Sequence, residues 1–156
     1  MEFEAFRTIA QIAAALAGFI GIIIAVRVRL NGLPPMQLAG FLQTSMGALG
    51  FALLPDFAIG LGISDQLVWQ ILCGLLGVYH LFIFSFFIWH YPDLKKMPLF
   101  QICIAIASVP VIGIKLAAGA GLFLDYAPDI YHLGLLWLLG VSIFFFTQVL
   151  MNDREA

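Results

Sequence analysis

Charged side chains are scarce in this sequence. Only 10% of the residues are Asp, Glu, Lys or Arg, whereas 63% are hydrophobic and the mean hydropathy is +1.06. Because soluble domains carry about 25% charged residues, this composition excludes that class and indicates an integral membrane protein. Strands of a membrane barrel alternate between lipid-facing and lumen-facing residues, whereas the stretch IAAALAGFIGIIIAV is apolar throughout. We therefore expect an all-α membrane protein.

Catalytic and metal-binding motifs are also missing. The two cysteines, Cys73 and Cys103, fall towards opposite membrane faces, so we expect no disulfide between them. The sequence contains no HxxH or CxxCH spacing and no evident nucleophile with a base. We therefore expect no enzymatic activity, no metal ion, no cofactor and no nucleic-acid partner.

Five apolar segments are long enough to cross a bilayer, which takes roughly 20 helical residues. They cover residues 6–26, 36–63, 66–90, 98–124 and 129–151. Nothing is left over for a soluble domain. The sequence thus predicts one transmembrane helical domain over residues 1–156, a bundle of about five helices with the lipid bilayer as its first partner.

Basic residues indicate the orientation of these helices. Arg27 and Arg29 fall in the first loop, Lys95 and Lys96 in the third, and Arg154 in the C-terminal tail. Because Lys and Arg mark the cytoplasmic side, we expect the N-terminus outside and the C-terminus inside. The arginines follow the first apolar segment instead of preceding it, so we do not expect a cleaved signal peptide.

Small and weakly polar residues recur at helical spacing in the first three segments. Such stripes let membrane helices approach closely, and we expect them to form the seams of the bundle. They comprise Gln11, Ala14, Gly18, Gly21 and Ala25 in the first segment; Gly40, Gln43, Gly47 and Gly50 in the second; and Gln66, Gln70, Cys73, Gly77 and His80 in the third.

The fourth segment carries two special faces. At about 100° per residue, a ridge of small residues lies nearly opposite a polar stripe with a seven-residue repeat. The ridge should pack on another helix, in the same chain or in a second copy, and the stripe should face the bundle interior or water. The ridge is Gly113, Ala117 and Gly121, and the stripe is Gln101, Ser108 and Lys115. Pro110 lies between Ser108 and Lys115 in the sequence and is expected to kink the helix there.

Lys115 places a full charge inside an apolar segment. An intramembrane charge is costly and marks a functional hypothesis. Counting 1.5 Å per residue, Lys115 and Asp56 fall at similar depths, so they are predicted to pair, with Pro55 breaking the second helix beside Asp56. Two alternatives remain open: Lys115 extends outward to the interface, and the second segment ends at Leu54, which makes Asp56 a loop residue.

The three histidines raise the question of haem. His90 and His132 fall at opposite ends of their segments and cannot ligate one iron, and His132 is too shallow to join His80. A structural or proton-relaying role for His80, near Ser108 and Ser142 in depth, is the preferred interpretation. Five segments with a lysine on the fourth do not resemble the seven-helix retinal proteins.

One family resemblance covers the first half of the chain. The run IAQIAAALAGFIGIIIA, followed by ALLP and ISDQLVWQ, resembles short bacterial integral membrane proteins with an AQIAxALAGFxGI-type first helix. The resemblance implies a bacterial inner-membrane location. It implies no activity and no binding residue.

Three functions are open at this point. The first is an oligomeric protein that conducts or transports protons or a small ion along a polar path of Lys115, Asp56, His80, Ser108 and Gln101. The second is an accessory or assembly subunit of a membrane complex, in which the same residues only hold helices together. The third is a haem-binding membrane protein. The sequence shows no inverted repeat, which favours an oligomer over a single alternating-access carrier.

Overall fold

The computed structural model describes residues 4–27, 35–62, 64–90 and 99–151. In these ranges there are five α-helices, one 3-10 turn and no strand, which confirms the predicted all-α class. The helices are α1 (Glu4–Arg27), α2 (Pro35–Gly60), α3 (Asp65–His90), α4 (Leu99–Gly119) and α5 (Ala127–Met151), with the 3-10 turn Leu124–Tyr126 before α5.

All five helices are long and apolar enough to cross a membrane. The spans are Glu4–Ile22, Ala39–Gly60, Asp65–Trp89, Gln101–Gly119 and Leu124–Thr147. Length and composition are therefore those of a multi-pass membrane protein. Arg29, Lys95, Lys96 and Arg154 lie outside the described residues, so the orientation of the termini stays a prediction.

The orientation leads to a first testable prediction. A reporter that is active only in the cytoplasm should work when fused after Ala156, and a reporter that is active only outside it should not, because basic loops stay on the cytoplasmic side. Fusions in the second loop, at Ser64, should give the opposite pattern. Activity of the external reporter after Ala156 would show that the orientation is reversed.

The end of α4 differs from the predicted boundary at residue 124. The helix ends at Gly119, and Gly121 adopts a φ of +92°. The Leu122 amide donates to the Ala117 carbonyl over 2.9 Å and the Gly121 amide to the Ala118 carbonyl over 3.0 Å. This pair of bonds is the Schellman motif, in which glycine ends a helix because it tolerates positive φ. The prediction that Gly121 extends the helical ridge of Gly113 and Ala117 is therefore wrong.

Both internal prolines lie within continuous helices. Pro55 is inside α2, which runs on to Gly60, and Pro110 is inside α4. Each proline removes one backbone donor. The residues on both sides of each proline are nevertheless helical, so neither proline ends its helix. The alternative that the second span ends at Leu54 is therefore wrong, and Asp56 is a helical residue.

Backbone contacts divide the chain into two compact units, and the single-domain assignment stays a prediction. The first unit comprises residues 1–53 and 135–156. Its buried hydroxyls are paired, because Ser45 Oγ forms a hydrogen bond with Ser142 Oγ and donates over 2.8 Å to the Phe41 carbonyl. The Phe41 and Phe146 rings lie 5.7 Å apart. A serine hydroxyl has a single hydrogen, so Ser142 is the donor to Ser45.

The small stripe of α1 is not the face that packs inside this unit. Gln11, Ala14, Gly18 and Gly21 are exposed, and a methyl group added at either glycine would meet nothing within 4 Å. Large side chains such as Phe6 and Ile20 are buried instead. Gly18 and Gly21 therefore form no seam within this unit, since burial follows the apolar area of the larger side chains. Their predicted role in packing elsewhere in the bundle stays a prediction.

The second unit, residues 54–134, contains an antiparallel pair of helices. α3 and α4 approach most closely at two glycines, where a Cβ added to Gly119 would lie 2.5 Å from Gly74 Cα. Further along, a Cβ on Gly77 would lie 2.8 Å from a Leu116 methyl carbon. Gly77 was predicted on the packing stripe of α3, and this contact confirms it. The glycines let the two backbones come together, as expected between membrane helices.

Candidate functional site

A buried lysine and a buried histidine meet between α3 and α4. Lys115 Nζ lies 2.7 Å from His80 Nδ1, and the exposed fractions of the two side chains are 1% and 4%. Lys115 therefore does not extend outward to the interface, and that alternative is wrong. The two helices bring together two residues that were both predicted on the polar path.

The hydrogen bond has a defined direction when the lysine is protonated. An ammonium group has three donors and no acceptor, whereas a neutral imidazole has one donor nitrogen and one acceptor nitrogen. Lys115 must then donate to Nδ1, and the imidazole proton is assigned to Nε2. The partner of the lysine is thus a neutral ring that can accept a proton.

A glycine of α5 makes room for the lysine side chain. A Cβ added to Gly134 would lie 2.8 Å from Lys115 Cδ and 2.9 Å from a Leu76 methyl carbon. The alkyl chain of Lys115 therefore passes directly over the Gly134 backbone on its way to His80. Three helices build the site: α3 supplies the imidazole, α4 the amine and α5 a surface without a side chain.

Other polar groups of the second unit lie on the same side of α3. The Cys73 thiol donates to the Ala127 carbonyl over 3.2 Å, and the rings of Trp69 and Tyr131 pack edge to face at 5.7 Å. Cys73 and Tyr131 are fully buried. These contacts hold the start of α5 against α3, and this places Gly134 opposite Lys115.

The other predicted site residues lie on α4, α2 and α5. Ser108 is buried on α4, two turns before Lys115, and Gln101 is half-buried near the start of that helix. Asp56 lies at an exposed position of α2. The partner that the structure gives Lys115 is His80. A contact between Lys115 and Asp56 stays a prediction. Ser142 belongs to the other unit, where its partner is Ser45.

Sequence reasoning missed Gly74, Gly119 and Gly134 as packing positions. It assigned the small ridge of the fourth segment to Gly113, Ala117 and Gly121, but a Cβ on Gly113 would meet nothing within 4 Å. The spacing of Gly119 was a signal that could have identified it, since it lies four residues after Lys115 and hence on nearly the same face. Gly134 carried no comparable signal, because its role depends on the path of a side chain from another helix.

The site contains no recognisable metal centre. Across residues 4–27, 35–62, 64–90 and 99–151, no group of three or more His, Cys, Asp or Glu side chains is placed to hold a metal ion. The side chain of His90 lies outside the described residues. A haem iron would have to bind His80 through Nε2, because Nδ1 is hydrogen bonded to Lys115.

Comparison with known proteins adds no further assignment. No family model matches the chain, and no curated protein or solved structure matches it. The site is therefore interpreted from its own geometry.

Gly134 supplies a prediction about the geometry of this site. Replacing it with alanine should displace Lys115 and lower the free energy of unfolding by about 1–3 kcal/mol, the usual cost of overpacking. The matched control is Gly140→Ala on the same helix, where an added methyl group would meet nothing within 4 Å. Unfolding of the purified protein in mixed micelles measures both. Equal stability of the two variants would show that Lys115 does not need this space.

Proposed function

We propose that this chain is a small multi-pass membrane protein that conducts or transports protons or a small ion, with Lys115 and His80 as its central polar site. The observation that carries the proposal is the buried hydrogen bond between these two side chains. Ser108 and Gln101 extend the polar surface along α4. On α2, the exposed Asp56 accepts or delivers the ion.

The cost of burying a lysine supports a functional role. A lysine at the centre of a membrane helix costs about 3 kcal/mol on insertion scales. A hydrogen bond to a neutral imidazole offsets only part of this cost, since it places no negative charge beside the ammonium. Helix packing alone does not need such a group, because small residues already hold α3 and α4 together. The presence of Lys115 at this position is thus better explained by chemistry at its amino group.

The proposed location is the bacterial inner membrane, with the N-terminus outside and the C-terminus inside. We also propose that copies of the chain associate. Gly18 and Gly21 on α1 and Gly113 on α4 expose backbone at open surfaces, which suits contact with a further helix. The second candidate function, an accessory or assembly subunit, uses these same surfaces to bind a different membrane protein.

Ion flux in liposomes tests the proposal. Purified protein should release a gradient of protons, Na⁺, K⁺ or Cl⁻ faster than protein-free liposomes do. Lys115→Met should reduce that flux to the protein-free rate, because it removes the amino group and keeps an unbranched apolar chain. Gly140→Ala should conduct like the unaltered protein, since it leaves the site intact. Absence of flux for all four ions, together with a partner protein recovered at fixed stoichiometry, would favour the accessory subunit.

A further inference from the structure

We infer that the species carried by the Lys115 and His80 pair is the proton, and that the two side chains relay it between their nitrogens. This inference rests on the proposed function and names its substrate. It follows from three features of the pair: the atoms it offers, the distance between them and their burial.

The atoms of the pair do not suit an alkali metal cation. Na⁺ and K⁺ are hard cations that bind through oxygen atoms, whereas the pair presents two nitrogens, one of which is an ammonium in the protonated state. An ammonium beside the path repels a second cation. The site therefore offers an alkali metal ion neither ligands nor a favourable potential.

The distance argues against an anion at the same place. Nζ and Nδ1 are 2.7 Å apart, so they are in direct hydrogen-bond contact with no space between them. Both side chains are almost fully buried, and the lysine chain lies directly against the backbone at Gly134. An anion would have to separate the pair and displace its packing. A proton needs only to move along a hydrogen bond that is already formed.

The relay is balanced in protons at each step. In the loaded form the Lys115 ammonium donates to His80 Nδ1. The Nζ–H bond then breaks and an Nδ1–H bond forms, which leaves a neutral amine and an imidazolium ion. The imidazolium gives its Nε2 proton to a water molecule, and both side chains are then neutral. Water then exchanges the ring proton, one molecule donating a proton to Nε2 while another accepts the proton from Nδ1, so the ring stays neutral. A hydronium ion gives its proton to Nζ and leaves as water, which restores the loaded form.

Cys73 on α3 and Tyr131 on α5 are further buried titratable groups among the described residues of the second unit. The Cys73 thiol donates to the Ala127 carbonyl, so its hydrogen is already engaged in a hydrogen bond. The Tyr131 ring packs on Trp69. In the proposed relay the proton passes through the lysine, the imidazole and water.

Proton flux with Na⁺ and Cl⁻ removed and K⁺ kept low tests this inference. Liposomes containing the full chain and an internal pH dye are prepared in N-methylglucamine gluconate, and the membrane voltage is set by a low K⁺ gradient with valinomycin. We expect proton flux to persist at its rate in NaCl. Lys115→Arg should lose it, because guanidinium keeps its charge but does not release its proton. His80→Gln should lose it as well, because its amide accepts a hydrogen bond from Lys115 but cannot pass a proton on.

The outcomes separate the inference from the proposed function. If Na⁺, K⁺ or Cl⁻ flux depends on Lys115 while proton flux stays at the protein-free rate, the protein transports ions but the relay is wrong. If no ion moves, the proposed function itself fails. Proton flux retained in folded Lys115→Arg would also overturn the relay. Should a variant fail to fold, ¹⁵N NMR of histidine-labelled unaltered protein decides: an acceptor Nδ1 and a protonated Nε2 on His80 are expected, and the reverse tautomer contradicts the relay.

Discussion

Replacing His80 with leucine should lower the free energy of unfolding by about 3 kcal/mol, because the Lys115 amino group would stay buried without its acceptor. Lys115→Met should cost less, about 1 kcal/mol, since it removes the group that is expensive to bury and leaves one imidazole nitrogen without a donor. Reversible unfolding in mixed micelles with a denaturing detergent measures each change.

The double variant reports whether the two residues act as a pair. His80→Leu with Lys115→Met should be less destabilising than the sum of the single changes by about 0.5–3 kcal/mol, as for contacting residues. Additive effects would mean that the hydrogen bond contributes nothing measurable. Since leucine and methionine keep most of the apolar volume, a cavity alone does not produce such non-additivity.

A second cycle tests the predicted contact between Lys115 and Asp56. Asp56→Asn changes the charge with little change in shape, and it is combined with Lys115→Met. A coupling energy comparable to that of the His80 cycle would confirm that the carboxylate acts on the lysine. Additivity would leave His80 as the partner of Lys115 and would remove Asp56 from the proposed path.

Gly119→Ala should lower the free energy of unfolding by about 3 kcal/mol, at the upper end of overpacking. The added methyl group would lie 2.5 Å from Gly74 Cα and 2.8 Å from Gly74 N. These are backbone atoms, so no side chain can rotate away and the two helices have to separate. Because His80 and Lys115 sit on the same pair of helices, proton flux should fall together with stability.

Gly113→Ala is the matched control on the same helix. An added methyl group there meets nothing within 4 Å, so stability should not fall, and the better helix propensity of alanine should raise it by up to about 1 kcal/mol. Equal losses in the two variants would show that glycine at 119 does not act through its contact with Gly74. A change in oligomeric mass with Gly113→Leu alone would place position 113 at a contact between copies.

The helical spans could be predicted from the sequence because they depend on local properties. A run of about 20 apolar residues must form a helix in the bilayer core, where backbone groups have no water to bind. The polar faces of α3 and α4 could also be predicted from the sequence, since residues at helical spacing lie on one face of a helix. The end of α4 was missed by five residues, because apolarity continues past the glycine that ends the helix.

The partner of Lys115 was decided only by the tertiary structure. His80 lies ten residues before the end of α3, whereas Lys115 lies sixteen residues after the start of α4. A simple antiparallel pairing across the connection therefore does not bring them together; the close approach of Gly74 and Gly119 sets this register. The sequence determined that Lys115 lies within an apolar segment and that His80 lies on the weakly polar face of its helix, but it left open whether the lysine extends outward. Which side chain the lysine meets depends on the register in which α3 and α4 pack. This register is a property of tertiary packing, and the periodicity of a single helix does not determine it.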